Sequence, residues 1–112
     1  MPMVTMIQKN KLARDKMPEV FEAQNRIHKT VVLNDAEYAK ELRNKLKEET
    51  AEFLEDNNLE ELADILEVIY TLTKNIGHTQ VELEQRRADK AKKYGTWEKK
   101  LYLIEVEQKK NN

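Results

Sequence analysis

Five acidic residues are spaced to act together. In Glu48-Glu49-Thr50-Ala51-Glu52 and, after the run Asp56-Asn57-Asn58, in Glu61-Leu62-Ala63-Asp64, the pairs Glu49/Glu52 and Glu61/Asp64 each lie three apart. On a helix that spacing makes neighbours on one side. If two antiparallel helices are joined by a short turn, positions 49 and 64 fall opposite each other, as do 52 and 61, because both pairs have the same index sum. Four carboxylates then meet at one level. On a wheel of about 100° per residue, Glu49 falls inside the apolar stripe of Leu42, Leu46 and Phe53, Glu52 lies at its edge and Glu48 points away. On the second helix Glu61 and Asp64 line one flank, and Glu60 and Glu67 the more solvated one.

A carboxylate aimed at a core needs a partner, since an unpaired buried charge costs on the order of several kcal/mol or stays protonated. Two solutions are open. Lys45 and other basic groups neutralise the cluster, or the acids are simply wet. Alternatively a divalent ion sits among them, and an all-carboxylate donor set suits Mg²⁺ or Mn²⁺ better than Zn²⁺ or Cu²⁺.

The rest of the composition narrows the chemistry. The 112 residues include no Cys and no Ser, which excludes disulfides, zinc-thiolate sites and the usual acyl-transfer nucleophiles. His28 and His78 lack the spacing of a helical zinc or di-iron site and are assigned to turns or the surface. Glycine occurs only at 77 and 95, so neither a P-loop nor a dinucleotide fingerprint can be written. A net charge of −1 gives no reason to expect nucleic acid as a partner. The basic stretch Arg86, Arg87, Lys90, Lys92, Lys93, Lys99 and Lys100 reads as a solvated face unless an acidic site meets it. No apolar run is long enough for a bilayer and no secretory signal is visible, so the expectation is a cytoplasmic protein with no membrane partner.

Few elements must position these groups. Asn34 with Glu37, Asn58 with Glu61 and Thr79 with Glu82 each place a capping acceptor three residues before a Glu. Gly77 and Gly95 follow Ile76 and Tyr94, where left-handed C-terminal caps are expected. The spacing predicts helices over 35–56, 59–76 and 80–94, plus a shorter one after Asp15 with Pro18 in its first turn. Val4–Ile7, Thr30–Leu33 and Leu101–Val106 read as strands or extended chain, and 107–112 as a frayed tail. The fold class is mainly α, an antiparallel helical bundle in a single domain over 1–112. The second long helix is apolar around most of its circumference, from Leu59 to Ile76, which predicts a homo-oligomer, a dimer first of all.

The acidic pattern Glu48-Glu49-x-x-Glu52 with Glu61-x-x-Asp64 resembles the signature of the all-α nucleoside triphosphate pyrophosphohydrolases. That superfamily includes MazG, all-α dUTPases and phosphoribosyl-ATP pyrophosphohydrolase. Asn10-Lys11-Leu12-Ala13-Arg14-Asp15-Lys16-Met17-Pro18 and the stretch from Lys90 to Leu103 look like the MazG-related, phosphoribosyl-ATP-pyrophosphohydrolase-like branch, so the resemblance covers most of residues 7–106. Tyr94, Thr96 and Trp97 depart from it, standing where that branch has Arg, Gly and Phe.

The resemblance implies Mg²⁺-dependent cleavage between the α- and β-phosphates of a nucleoside triphosphate, giving monophosphate and pyrophosphate, as in nucleotide-pool house-cleaning. It implies Glu49, Glu52, Glu61 and Asp64 as metal ligands, Glu48 and Glu49 as catalytic residues, and Lys11, Arg14, Lys90 and Lys93 as substrate contacts. For Lys11 and Arg14 the plainer reading is a local ion pair with Asp15 or Glu19. Trp97 or Tyr38 could face the base, or simply pack. The alternative from another class is a non-catalytic helical interaction module whose acidic cluster is structural.

Overall fold

A computed structural model describes residues 10–110. Its helices are α1 (Met17–Ala23), α2 (Asp35–Asp56), α3 (Leu59–Asn75) and α4 (Gln80–Tyr94), and no strand occurs among the described residues. The chain divides into two units, Met1–Thr79 and Gln80–Asn112.

Local chemistry sets nearly every boundary in the first unit. Asn34 starts α2 by accepting from the Glu37 amide at 2.9 Å, and Asn58 starts α3 by accepting from the Glu61 amide at 3.0 Å. The side-chain Nδ2 of Asn34 also donates to the Glu37 carboxylate, tying the cap to the first turn. Pro18 stands in the first turn of α1, where its missing N–H leaves no bond unmade. Asn57 stops α2 in the left-handed region (φ 51°), its amide donating to the Phe53 carbonyl at 2.7 Å. At the end of α3, Gly77 (φ 90°) donates to Lys74 and His78 donates to Thr73, the paired bonds of a Schellman cap.

Only Asn57 and Asn58 separate α2 from α3, so the two helices fold back on each other as a hairpin and pack together. The apolar filling between them is thin. Leu42, 3% exposed, is the one apolar residue that is fully buried among those described, with Leu46, Phe53, Ile65, Val68 and Leu72 half-buried. Thr73 is buried too, and its hydroxyl donates to the Ile69 carbonyl at 2.7 Å. Along the other side of α3, Leu59, Leu62 and Leu66 remain exposed.

Of the two readings for 30–33 and 101–106, strand or extended chain, the strand is not formed. Residues 30–33 and 101–106 have no regular structure, and Val32 is fully exposed. β-branched residues favour strands only when a neighbouring strand and a buried face are supplied, and neither segment has one. Val4–Ile7 lies outside the described residues.

In the second unit α4 spans the expected positions and ends at Gly95 (φ 87°), whose amide donates to the Ala91 carbonyl at 2.8 Å. No helix among the described residues is long and apolar enough to cross a membrane.

Candidate metal centre

The asparagine turn fixes the hairpin register, and the register gathers the acids. Two overlapping groups of carboxylates result, Glu48 with Glu49 and Glu52, and Glu49 with Glu61 and Asp64. Within each group the oxygens come within 4.8 Å of one another. Glu49 belongs to both, and it is the most enclosed acid of the chain, 7% exposed. Its position inside the apolar stripe of α2 is what takes it out of water. Glu49 Oε1 lies 3.4 Å from Lys45 Nζ, whereas Glu49 Oε2 is buried with no hydrogen-bond partner, as is Glu61 Oε2. Buried polar atoms are rarely left in that state without a reason.

Glu48 does not point away as the helical wheel predicts. It is half-buried, accepting from Lys11 Nζ at 2.9 Å and Lys45 Nζ at 3.2 Å. A glutamate has enough reach for two cations to draw its carboxylate across a helix face. Lys11 and Arg14 make no local pair with Asp15 or Glu19; Arg14 donates to Asp64 Oδ1 at 2.7 Å. Both cations therefore arrive on the acids of the hairpin from the segment before α1. That link had no sequence signal beyond the basic residues themselves, since it joins positions 37 and 50 apart in the chain.

The protonation behaviour follows this crowding. Burial, the charge of Glu52 and then that of Asp64 hold Glu49 above the ordinary carboxylate range, with Lys45 working against them. Desolvation, a hydrogen bond shared with Glu52, and the charges of Glu52, Asp56 and Asp64 push Glu61 up to about 7. Glu48 goes the other way: burial opposes its charge, but hydrogen bonds from Lys11 and Lys45 outweigh that and lower it. Its bond in turn raises Lys11. Adjacent carboxylates with opposite shifts mark a site where negative charge exceeds what the local cations can balance.

The hairpin brings the acids together in two groups: Glu49, Glu61 and Asp64 converge from two helices, and Glu52 groups with Glu48 and Glu49. Both solutions to their repulsion find support there, because Lys45, Lys11 and Arg14 contribute positive charge while two buried oxygens stay unsatisfied. The group can hold a cation through hard oxygen donors.

Lys90 and Lys93 lie on α4 in the second unit, where with Arg86, Asp89 and Tyr94 they line a shallow groove. Lys93 Nζ sits 5.1 Å from the Tyr94 ring centroid. Trp97 is 96% exposed and Tyr38 is at the edge of exposure, so neither is a packed core aromatic. His28, expected in a turn, closes a small cluster after α1, its Nε2 2.8 Å from Glu22 Oε1 and its ring 5.7 Å from that of Phe21.

No family model, no curated protein and no solved structure matches this chain.

Proposed function

We propose that the chain is a Mg²⁺- or Mn²⁺-dependent nucleoside triphosphate pyrophosphohydrolase, cleaving between the α- and β-phosphates to give a nucleoside monophosphate and pyrophosphate. The observation that carries the reading is the buried carboxylate of Glu49, shared by two acidic groups and holding one oxygen without a partner. The donor set fits a hard divalent ion, since it offers only carboxylate oxygens, two of them buried and unsatisfied.

Glu49, Glu52, Glu61 and Asp64 would hold the ion, and Glu48, between Lys11 and Lys45, would orient water at its edge. A bound divalent ion supplies charge neutralisation at phosphate oxygens and acidifies water. The protein's own share is then positioning and electrostatics, which is what phosphoryl transfer asks of a chain without Ser or Cys. Lys11 and Arg14 are close enough to the acids to meet a polyphosphate there. Lys90 and Lys93 are assigned to the leaving pyrophosphate on motif order alone.

The working form in this proposal is a homodimer through α3. The favoured occupant of the exposed Leu59, Leu62 and Leu66 side is a second copy. A twofold axis beside Leu62, in the first half of α3, sets that stripe against itself.

The test is pyrophosphate release by the purified chain from a panel of canonical and modified nucleoside triphosphates. Release that requires Mg²⁺ and stops with EDTA is the expected result, and the preferred substrate would bear on a house-cleaning role. A chain that takes up Mn²⁺ yet releases pyrophosphate from none of them would leave the structural module as the better reading.

A further inference from the structure

The segment 10–16, ahead of α1, delivers two cations to the acids of the α2–α3 hairpin, and these cations differ from the third one there. Lys45 stands on α2 itself, one turn before Glu48 and Glu49, so it stays among the acids whatever else happens. Lys11 and Arg14 are carried by a segment outside the helices that leaves Asn10 in the left-handed region (φ 56°). Lys11 is partly covered and Arg14 largely open to water, and exposed ion pairs such as that of Arg14 with Asp64 are weak. They are attached where a metal ion would compete with them: Arg14 takes Asp64 Oδ1, and Lys11 takes an oxygen of Glu48. Glu49, which belongs to the acidic group of Glu48 and to that of Asp64, keeps its buried Oε2 without a hydrogen-bond partner.

We propose that Lys11 and Arg14 are the resting counter-ions of this site and that one divalent cation displaces both. The inference rests on the metal reading above. Two single charges leave and one double charge enters, so the charge at the acids is unchanged by the exchange. The lone pair of Asp64 passes from the Arg14 guanidinium to the ion, and the Glu48 oxygen released by Lys11 is left to orient water at the ion's edge. The freed ammonium and guanidinium groups are then available to an incoming polyphosphate, and a guanidinium in particular can grip a phosphate with two donors at once. Segment 10–16 is fastened to the hairpin when the metal is absent and loosened when it is present.

The experiment is Mn²⁺ binding by calorimetry to the full chain and to Lys11→Gln, Arg14→Gln and the double variant. Removing a competing counter-ion tightens binding, by about threefold for either single change and about tenfold for both. A purely structural ion pair predicts the opposite or nothing. In parallel, limited trypsin digestion of the unmodified chain should cut faster after Lys11 and Arg14 once Mn²⁺ is added, with cutting after Lys29 unchanged; this arm does not depend on any variant folding. If the unmodified chain binds Mn²⁺ but the variants bind it equally or less tightly, or digestion does not respond, the exchange is refuted and the metal site stands. If neither the unmodified chain nor the double variant binds Mn²⁺, the metal reading falls and the exchange with it. Binding seen only in the double variant would support the exchange outright.

Discussion

The two sides of α3 begin alike and end differently. One carries Glu61 and Asp64 among Ile65, Val68 and Leu72, and α2 packs against this helix. The other carries Leu59, Leu62 and Leu66, which are 76%, 44% and 46% exposed. The polar side is therefore the enclosed one over its first turns, and an apolar stripe faces water. A chain that buried surface for stability alone would have chosen the reverse, because each leucine removed from water contributes roughly 1.5–3 kcal/mol and each enclosed carboxylate costs. The contrast teaches that the hairpin register encloses the acids of α3 while its leucine side stays exposed among the described residues.

The largest effect should come from breaking the acidic side. Glu49→Gln and Asp64→Asn each keep the shape of the side chain and remove a charge from the group centred on Glu49. Pyrophosphate release should fall by more than about a hundredfold, beyond what losing a supporting contact around a metal ligand costs, with the helical circular dichroism unchanged. Turnover at the unmodified rate in either variant would remove these residues from the site.

Breaking the apolar side should matter next. Leu62→Glu combined with Leu66→Glu puts four charges across a twofold interface and should raise the dimer dissociation constant by about a hundredfold or more, read by sedimentation. A monomer in the unmodified chain at all concentrations would mean that this side meets no second copy. The pair of results also separates the two sides: acidic variants should remain dimeric, and leucine variants should still take up Mn²⁺.

A pH series sharpens the acidic side further. A carboxylate held higher in the folded chain than in the unfolded one favours folding while protonated. That contribution is complete below about 4.5 and is lost as pH rises through the folded value, which for Glu61 is about 7. Glu49 shifts in the same direction, whereas Glu48, lowered by Lys11 and Lys45, contributes stability at neutral pH that is lost only in acid. Between pH 5 and 8 the metal-free Tm should therefore decline, and Glu61→Gln should flatten the decline. Mn²⁺ should raise Tm more at pH 8 than at pH 5.5, since the ion replaces a proton.

What the sequence disclosed and what it withheld divide along the same physical line. Caps are local, so Asn34, Asn58, Gly77 and Gly95 marked their helix ends correctly, and a two-residue turn between Asp56 and Leu59 carried the register that gathers Glu49, Glu61 and Asp64. Glu48 departs from the wheel because a wheel locates Cα atoms, and the cations that draw its carboxylate inward come from residue 11 and from one turn back. The pairing of Arg14 with Asp64 was invisible for the same reason: it depends on tertiary placement and obeys no periodicity. The runs at 30–33 and 101–106, legible as strand or extended chain, form no strand because their β propensity has no partner to act upon.

The smallest expected effect tests whether the turn or the helix matters to the site. Asn58→Ala and Asn34→Ala each remove one side-chain acceptor from a helix start, and each should cost about 1 kcal/mol, or roughly 4–8 °C in Tm. Their effects on Mn²⁺ binding should nevertheless differ. Asn34 lies fifteen positions before Glu49, with four turns of continuous helix between, so its loss frays an end remote from the acids. Asn58 caps the turn that sets α3 against α2, and its side chain accepts from the amide of Glu61 itself. Its loss should weaken Mn²⁺ binding severalfold at a temperature where both variants are fully folded. Equal binding by the two would mean that packing between the helices, and not the asparagine turn, holds the carboxylates in register.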